Sequence, residues 1–294
     1  FFPMHPLMLG LLTRATGASS LVVGAVLDLV LGAVATLLVW RVAGRLAGRV
    51  VADRSAILFC FFPGAFSLSL IYAEPLMLVG LAGCLLALLN RRWVLAGVAG
   101  LVATASRPNA CVILIACAWA AVTAVRRRRD WRAVTAPVLA AGGIGGYFLY
   151  LWLHSGSATA WFRSEKVMWH DHMTLTAVAT YVRQLVTRAP SLRGSGLDPL
   201  IVVLGLILIG AALFALRRVH WPAPVVAYTA AALLIPLTSV AVGPRPRILM
   251  AAFPVAILAA QRLRGRAFVA VTLASAVALG LLTFVTATSL AITP

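Results

Sequence analysis

Long apolar runs separated by short polar or basic segments make up most of the chain. Eight of them are long enough to cross about 30 Å of hydrocarbon: 18–40, 55–72, 74–90, 108–125, 133–153, 198–216, 223–240 and 267–290. Two shorter runs, 93–106 and 247–261, bring the predicted crossings to ten. Since a chain in lipid must satisfy its own backbone hydrogen bonds, the pattern predicts an all-α, polytopic membrane helix bundle. We expect residues 1–294 to form a single transmembrane domain.

The composition supports a membrane location. Of the 294 residues, 62% are hydrophobic and only 11% are charged, and the mean hydropathy is +1.01. Soluble domains are nearer half apolar and a quarter charged. A soluble core of this size cannot bury the excess, so we expect apolar surface to face lipid. Soluble enzymes, disordered tails, disulfide scaffolds and DNA-binding proteins are thereby excluded.

The charge is strongly basic, with 25 Lys and Arg against 7 Asp and Glu, a formal net charge of +18. Lys166 is the only lysine, and this arginine bias, with much Ala, Val, Leu and Gly, is typical of a GC-rich bacterial genome. Sixteen of the basic residues fall in five short loops that would share one side of the membrane: 41–54, 91–92, 126–132, 217–218 and 262–266. The positive-inside rule places these loops in the cytoplasm. The charge therefore predicts orientation in a plasma membrane and no nucleic-acid partner.

A long segment, 154–197, is predicted to form an outer-face loop. Its stretch 173–188 is amphipathic and is expected to lie in the membrane interface as a helix. The loop also mixes aromatic and charged side chains, which suit either a membrane interface or sugar binding: Trp161, Phe162, Arg163, Glu165, Lys166, Trp169, His170, Asp171 and His172. The last three are a weak candidate for a metal site, because adjacent residues seldom converge on one ion.

Two polar residues at predicted outer turns are candidate site residues. Glu74 precedes Pro75 between two apolar runs. It is either a helix-start acid, which the helix dipole favours, or a carboxylate that binds a sugar hydroxyl or a cation. Arg107 lies between two spans on the side opposite the basic loops, where it either reaches lipid head groups or faces a polar cavity. A fixed guanidinium there would hold a phosphate.

A third candidate is the turn Gly243–Arg247, in which prolines hold Arg245 and Arg247 close together. The pair either reaches head groups beside a helix start or recognises phosphate.

Two features fall inside predicted spans. Asp28 lies in the middle of an apolar run, where an acid usually finds a partner within the bundle. We expect a structural hydrogen bond to a neighbouring helix, with ion coupling as the alternative. The glycine-rich segment 142–146 has no strand before it, so it predicts close helix packing and no nucleotide-binding loop.

Five segments, taken in order, resemble the PIG-V-like family of polytopic mannosyltransferases, which are relatives of GPI mannosyltransferase II. Phe1–Leu7 is similar to the family's F-F/Y-P-L-Y-P-L segment, with Met4 and His5 as departures. Residues 62–76 are similar to F-P-x-A-F-x-x-S-x-x-Y-S/T-E-S/P-L, a pattern that includes Tyr72 and Glu74.

The other three segments follow in the same order. Arg107-Pro108-Asn109 matches the family's R-P/S-N/T-G step, with Ala110 where glycine is usual. Residues 147–161 resemble Y-x-x-Y-L-W-x-x-x-G-D/S-x-x-A-F/W, and residues 246–254 resemble the closing P-R-Y-x-x-x-x-F-P. The resemblance spans residues 1 to about 260. No single motif is specific for the family, but the five motifs in this order are specific together.

The resemblance implies a GT-C type glycosyltransferase that uses a polyprenyl-phosphate-linked donor on the outer face. Mannose would pass to a lipid, glycan or protein acceptor. Six residues are predicted to bind the substrates: His5, Tyr72, Glu74, Arg107, Arg245 and Arg247. The arginines would stabilise charge on the leaving phosphate, and Glu74 would orient sugar hydroxyls. Tyr72 and His5 would line the pocket.

In this family the catalytic base is an acidic residue of the first outer loop, in a W-D motif that precedes the F-F-P segment. Since the chain begins at F-F-P, we expect it to lack that loop and the helix before it. We assign no residue as the base and no cofactor, and the question of a divalent metal is left open.

A transporter or flippase for an anionic or lipid-linked substrate is the alternative function, with Asp28, Glu74 and Arg107 along the substrate path. A non-catalytic membrane partner of an envelope complex is the third.

Overall fold

The structure is a computed structural model that describes residues 2–168, 174, 176–179, 183, 197–239 and 243–288; the side chains of 197–199 lie outside the description. Within these ranges the fold is all-helical. The α-helices are α1 (Met4–Thr16), α2 (Ser20–Ala47), α3 (Arg49–Cys60), α4 (Glu74–Leu89), α5 (Trp93–Ser106), α6 (Ile113–Arg128), α7 (Thr135–Ser155), α8 (Ala160–Met168), α9 (Leu197–Leu216), α10 (Ala223–Leu234), α11 (Pro246–Leu249), α12 (Pro254–Arg262) and α13 (Gly265–Thr288). Short 3-10 helices connect several of them: Pro63–Leu68, Pro108–Val112, Trp131–Val134, Ile235–Thr238 and Met250–Ala252.

Four helical segments of the described chain are long and apolar enough to cross a membrane: Ser20–Ala47, Pro108–Arg128, Trp131–Ser155 and Gly265–Thr288. Shorter apolar helices cover Glu74–Leu89, Trp93–Ser106, Leu200–Leu216 and Ala223–Thr238. The prediction of a helical membrane protein is confirmed at this level. The count of ten crossings stays a prediction.

Helix α13 shows where the excess apolar surface goes. None of its residues is buried. Val269, Leu273, Val277 and Leu281 recur every four residues and are each more than half exposed. In a helix this spacing forms one continuous stripe, which is a suitable surface for lipid tails.

Two of the predicted runs contain an internal non-helical break, in each case directly before a proline. The run 55–72 leaves α3 at Cys60 and continues as the 3-10 helix that begins at Pro63. The run 247–261 is divided among α11, a 3-10 helix and α12, with Pro254 at the start of α12. Proline lacks the backbone N–H that continues a helix and is tolerated in its first turn. Both breaks lie beside the charged residues described below.

The helices that carry the candidate residues pack as neighbours. Helix α4 lies against α2 and α5, and α5 lies against α7. Gly143 of α7 confirms the predicted close packing, since a Cβ there would lie 2.3 Å from the carbonyl oxygen of Leu101 on α5. Gly145 and Gly146 face open space, so the packing role of segment 142–146 rests on its first half.

The predicted outer loop begins with a helix. Helix α8 carries Trp161 and Phe162, and Phe2 packs 6.0 Å from the Trp161 ring and 4.4 Å from the Tyr147 ring, measured between centroids. Of the amphipathic stretch 173–188 the structure describes 174, 176–179 and 183, so the interfacial helix predicted there stays a prediction. Trp169 and the segment His170-Asp171-His172 lie outside the described residues.

Candidate functional site

Glu74 is the first residue of α4 and the centre of a buried charged cluster. Its side chain is 1% exposed. Oε1 accepts a hydrogen bond from Nη1 of Arg107 and lies 3.2 Å from Nε of Arg247. The helix start favours a negative charge at this position, and Pro75 fits the first turn because no backbone donor is needed there. The predicted helix start is confirmed, and the carboxylate is held between two cations.

Arg107 is brought to Glu74 by the way α5 ends. Its backbone is extended, with φ −154° and ψ 148°, and Pro108 begins the 3-10 helix that follows. A residue before proline is restricted to extended conformations, so the R-P dipeptide itself stops α5 at this point. The Arg107 side chain is 23% exposed. It is therefore partly shielded from solvent and partly open to a ligand.

Arg247 approaches Glu74 from the last third of the chain. It lies on α11, its side chain is 16% exposed, and its guanidinium carbon lies 5.2 Å from the centre of the Tyr72 ring. A cation over an aromatic face is attracted by the ring quadrupole. Arg245 caps the start of α11 with extended backbone, two residues before Arg247. The GPRPR turn thus places Arg247 beside the Glu74 carboxylate.

A close backbone contact positions α11. A Cβ on Gly64 would lie 2.3 Å from the carbonyl oxygen of Pro246 and 2.6 Å from its carbonyl carbon. No side chain fits between the two backbones, so the 3-10 helix at 63–68 and the start of α11 are in direct contact. Arg247 is the next residue after Pro246, and its distance to Glu74 therefore depends on this contact.

Asp28 connects three segments behind this cluster. It is fully buried in α2. Its Oδ1 lies 2.8 Å from Nε2 of His5, and its Oδ2 accepts a 2.8 Å hydrogen bond from the backbone N–H of Tyr72. One carboxylate thus joins α1, α2 and the turn that precedes α4. The expected structural hydrogen bond from Asp28 to a neighbouring helix is confirmed.

Two buried acceptor atoms near the cluster have no hydrogen-bond partner among the described residues. They are Oε2 of Glu74 and Oδ1 of Asn109. An unsatisfied buried polar atom costs about 1–3 kcal/mol, and it is explained when a ligand supplies the missing donor. A hydroxyl group is such a donor, and Asn109 lies two residues beyond Arg107.

The structure brings four of the six predicted site residues into direct contact: Tyr72, Glu74, Arg107 and Arg247. His5 is linked to them through Asp28, and Arg245 precedes the helix that carries Arg247. Their predicted roles in binding stay predictions.

The sequence interpretation missed two points. It did not foresee that Arg107 and Arg247 share one carboxylate, or that Asp28 orders the backbone at Tyr72. The available signal was the small number of acids, 7 Asp and Glu in the whole sequence. Two arginines predicted on one face therefore had few carboxylates with which to form an ion pair. The described residues contain no group of three or more His, Cys, Asp or Glu side chains that would hold a metal ion.

Comparisons with family models, with curated proteins and with solved structures found no match to this chain.

Proposed function

We propose that this chain functions as a GT-C type glycosyltransferase that transfers mannose from a polyprenyl-phosphate-linked donor to a lipid, glycan or protein acceptor. The observation that carries the proposal is the buried carboxylate of Glu74 held between Arg107 and Arg247. The resemblance of the five sequence segments supplies the reaction class, and four of those segments contribute residues to the cluster or to its support.

The charge balance of the cluster suits a phosphate. Arg107 and Arg247 carry two positive charges, and Glu74 offsets one of them. Each guanidinium has five N–H donors, and contact with one carboxylate oxygen leaves most of them for a further acceptor. Guanidinium groups match the geometry of phosphate oxygens in two-point contacts. Glu74 therefore orients the two arginines toward an anion.

The second oxygen of Glu74 suits a sugar. Oε1 accepts from Arg107 and lies 3.2 Å from Nε of Arg247, whereas Oε2 and the amide oxygen of Asn109 are buried acceptors without a partner among the described residues. Sugar hydroxyls would donate to both atoms. A donor molecule that combines a phosphate with a hydroxyl-rich ring would satisfy the guanidiniums and the orphaned acceptors together.

In the proposed reaction the acceptor hydroxyl oxygen attacks the anomeric carbon of mannose. The bond from this carbon to the phosphate oxygen breaks, and polyprenyl phosphate leaves with the bonding electrons. The hydroxyl proton passes to a base that we assign to no residue of this chain. Arg107 and Arg247 stabilise the charge that develops on the leaving phosphate, and such stabilisation is strongest where water is excluded.

The proposal includes a location and an orientation. The cluster would lie at the outer face of a bacterial plasma membrane, in a bundle of about ten crossings with its basic loops in the cytoplasm. The positive-inside rule supports this orientation, because Glu74, Arg107 and Arg247 lie at the ends of their helices that are remote from the arginine-rich turns.

The test is mannose transfer in membranes that contain the chain together with any sequence encoded in frame upstream of Phe1. Polyprenyl-phosphate mannose, labelled in the sugar, is the donor, and label is followed into lipid, glycan and protein fractions. We expect E74Q, which removes the carboxylate that orients both arginines, and R107K, which replaces a two-point guanidinium contact with a single ammonium group, to lower transfer about 100-fold, the usual loss when a donor to transition-state charge is lost. R107K keeps a positive charge beside Glu74, so the buried carboxylate retains a cationic partner.

Arg14 provides the matched control, because it is an exposed arginine in the last turn of α1. R14A is expected to retain full transfer. Unchanged transfer in both E74Q and R107K would refute the site. Movement of the labelled donor across the membrane without release of polyprenyl phosphate would replace the proposal with the transporter alternative.

A further inference from the structure

A polar cleft lies at the ends of α2 and α4 and the start of α5, opposite the helix ends that carry Glu74 and Arg107. It is an open cleft of about 580 Å³ between the end of α2, the end of α4 and the start of α5. Its lining consists of three arginines, a tryptophan, an asparagine and two small or apolar residues: Trp40, Arg41, Gly44, Arg45, Leu86, Asn90 and Arg92. Among the described residues, no acidic side chain lines it.

The helix lengths separate this cleft from the Glu74 cluster. The 16 residues of α4, from Glu74 to Leu89, rise by about 24 Å at 1.5 Å per residue. The 15 residues from Arg92 to Arg107 on α5 rise by about 22 Å in the opposite direction. Both distances approach the thickness of the hydrocarbon layer, about 30 Å. In the membrane orientation proposed above, the cleft would lie at the level of the lipid head groups on the opposite side from Glu74.

The charges in the cleft are not compensated within the described chain. Arg41 and Arg45 are four residues apart on α2, and like charges at this spacing repel each other on one helix face. Arg92 adds a third cation from α5. All three are exposed, and none of them forms an ion pair with a described residue.

Two acids close to the cleft accept hydrogen bonds from tryptophans: Asp130 from Trp93, the residue after Arg92, and Asp53 from Trp40. Asp53 of α3 accepts a 2.7 Å hydrogen bond from Nε1 of Trp40, and Arg49 lies over the Trp40 ring at 5.7 Å from its centre. This bond holds the indole at the wall of the cleft with its N–H turned toward Asp53. A topology signal needs only positive charge in a loop, whereas here arginines from two packed helices line one open cleft.

We propose that this cleft is a binding site for a phosphate group, supplied by the head group of an anionic membrane lipid. Guanidinium groups match phosphate oxygens in two-point contacts. A bound anion would also offset the repulsion between Arg41 and Arg45. The position at head-group level favours a lipid over a soluble phosphate, since basic pockets between helices at the cytoplasmic surface bind anionic lipids. The site is separate from the proposed transfer reaction at Glu74.

The experiment measures binding to the purified chain in neutral detergent by titration calorimetry. The probes are dihexanoyl phosphatidylglycerol, dihexanoyl phosphatidylcholine and inorganic phosphate. We expect the triple variant R41Q/R45Q/R92Q to bind the phosphatidylglycerol at least tenfold more weakly than the unchanged chain. The matched control R126Q/R127Q/R128Q removes the same charge from exposed residues at the end of α6 that do not line the cleft, and is expected to bind within twofold of the unchanged chain.

The probes separate the two sources of phosphate. Selective binding of phosphatidylglycerol, with the loss confined to the cleft variant, supports the lipid head group. Equal binding of inorganic phosphate with the same confined loss would keep the phosphate site and overturn the lipid assignment. Equal losses in both triple variants, or no binding by any probe, would overturn the site itself. A loss of mannose transfer in E74Q bears on none of these outcomes.

Discussion

At the scale of single residues, the sequence predicted which residues belong to the candidate site but did not predict which of them are in contact. The family-like motifs and the scarcity of acids selected Glu74, Arg107 and Arg247. Sharing of one carboxylate oxygen by both arginines depends on side-chain positions from segments far apart in the chain. Hydropathy and motif spacing contain no information about such a contact. His5 is the clearest example, since its partner Asp28 is on another helix.

Asp28 leads to a prediction about stability. Replacing it with alanine (D28A) leaves the Tyr72 N–H and the His5 ring without their buried acceptor. Each lost buried bond costs about 1–3 kcal/mol, so we expect the melting temperature in detergent to fall by several degrees. D53A is the control, because Asp53 is exposed and accepts from Trp40 where water is available. Equal shifts in the two variants would contradict the bridging role of Asp28.

At the scale of elements, most helices were predictable and their interruptions only partly so. The apolar runs located α2, α4, α5, α6 and α7, and Pro75 marked the start of α4. The runs 55–72 and 247–261 were taken as continuous because their hydropathy is uniform. Pro63 and Pro254 divide them, since proline removes a backbone donor without lowering the apolar character of the run.

Helix α7 offers a comparison of two glycines on one element. A Cβ at Gly143 would lie 2.3 Å from both the Leu101 carbonyl oxygen and the Thr104 hydroxyl, whereas Gly145 faces open space. G143A is expected to force α5 and α7 apart and lower the melting temperature. G145A is expected to leave it unchanged or raise it, because alanine is favoured over glycine inside a helix by about 1 kcal/mol. The measurement is the melting temperature of both variants. An unchanged melting temperature in G143A would show that α5 and α7 can move apart without loss of stability.

At the scale of the whole molecule, the membrane character was evident from composition, whereas the number of crossings was not. The described chain contains four helices of spanning length, and shorter apolar helices account for much of the remainder. Hydropathy measures apolar length along the chain. It does not distinguish a short helix packed among others from one that crosses the full bilayer.

Orientation is testable by chemical labelling of single cysteines in a variant whose four native cysteines are replaced. Ala158 follows α7, and Arg128 is at the end of α6; both positions are exposed. A membrane-impermeant maleimide is expected to label A158C in intact cells and R128C only after lysis. The reverse pattern would invert the bundle and place the Glu74 cluster in the cytoplasm.

The contact of Gly64 with Pro246 has a consequence for biosynthesis. Glu74 and Arg107 leave the ribosome on one hairpin, α4 and α5, separated by 33 positions. Arg247 follows Glu74 by 173 positions, and at roughly 5–20 residues per second it is made about ten seconds or more later. The hairpin therefore enters the membrane with Arg107 alone neutralising the Glu74 carboxylate. The cluster acquires its net positive charge only when the GPRPR turn packs against Gly64. The ability to bind an anion is therefore acquired late in synthesis and folding.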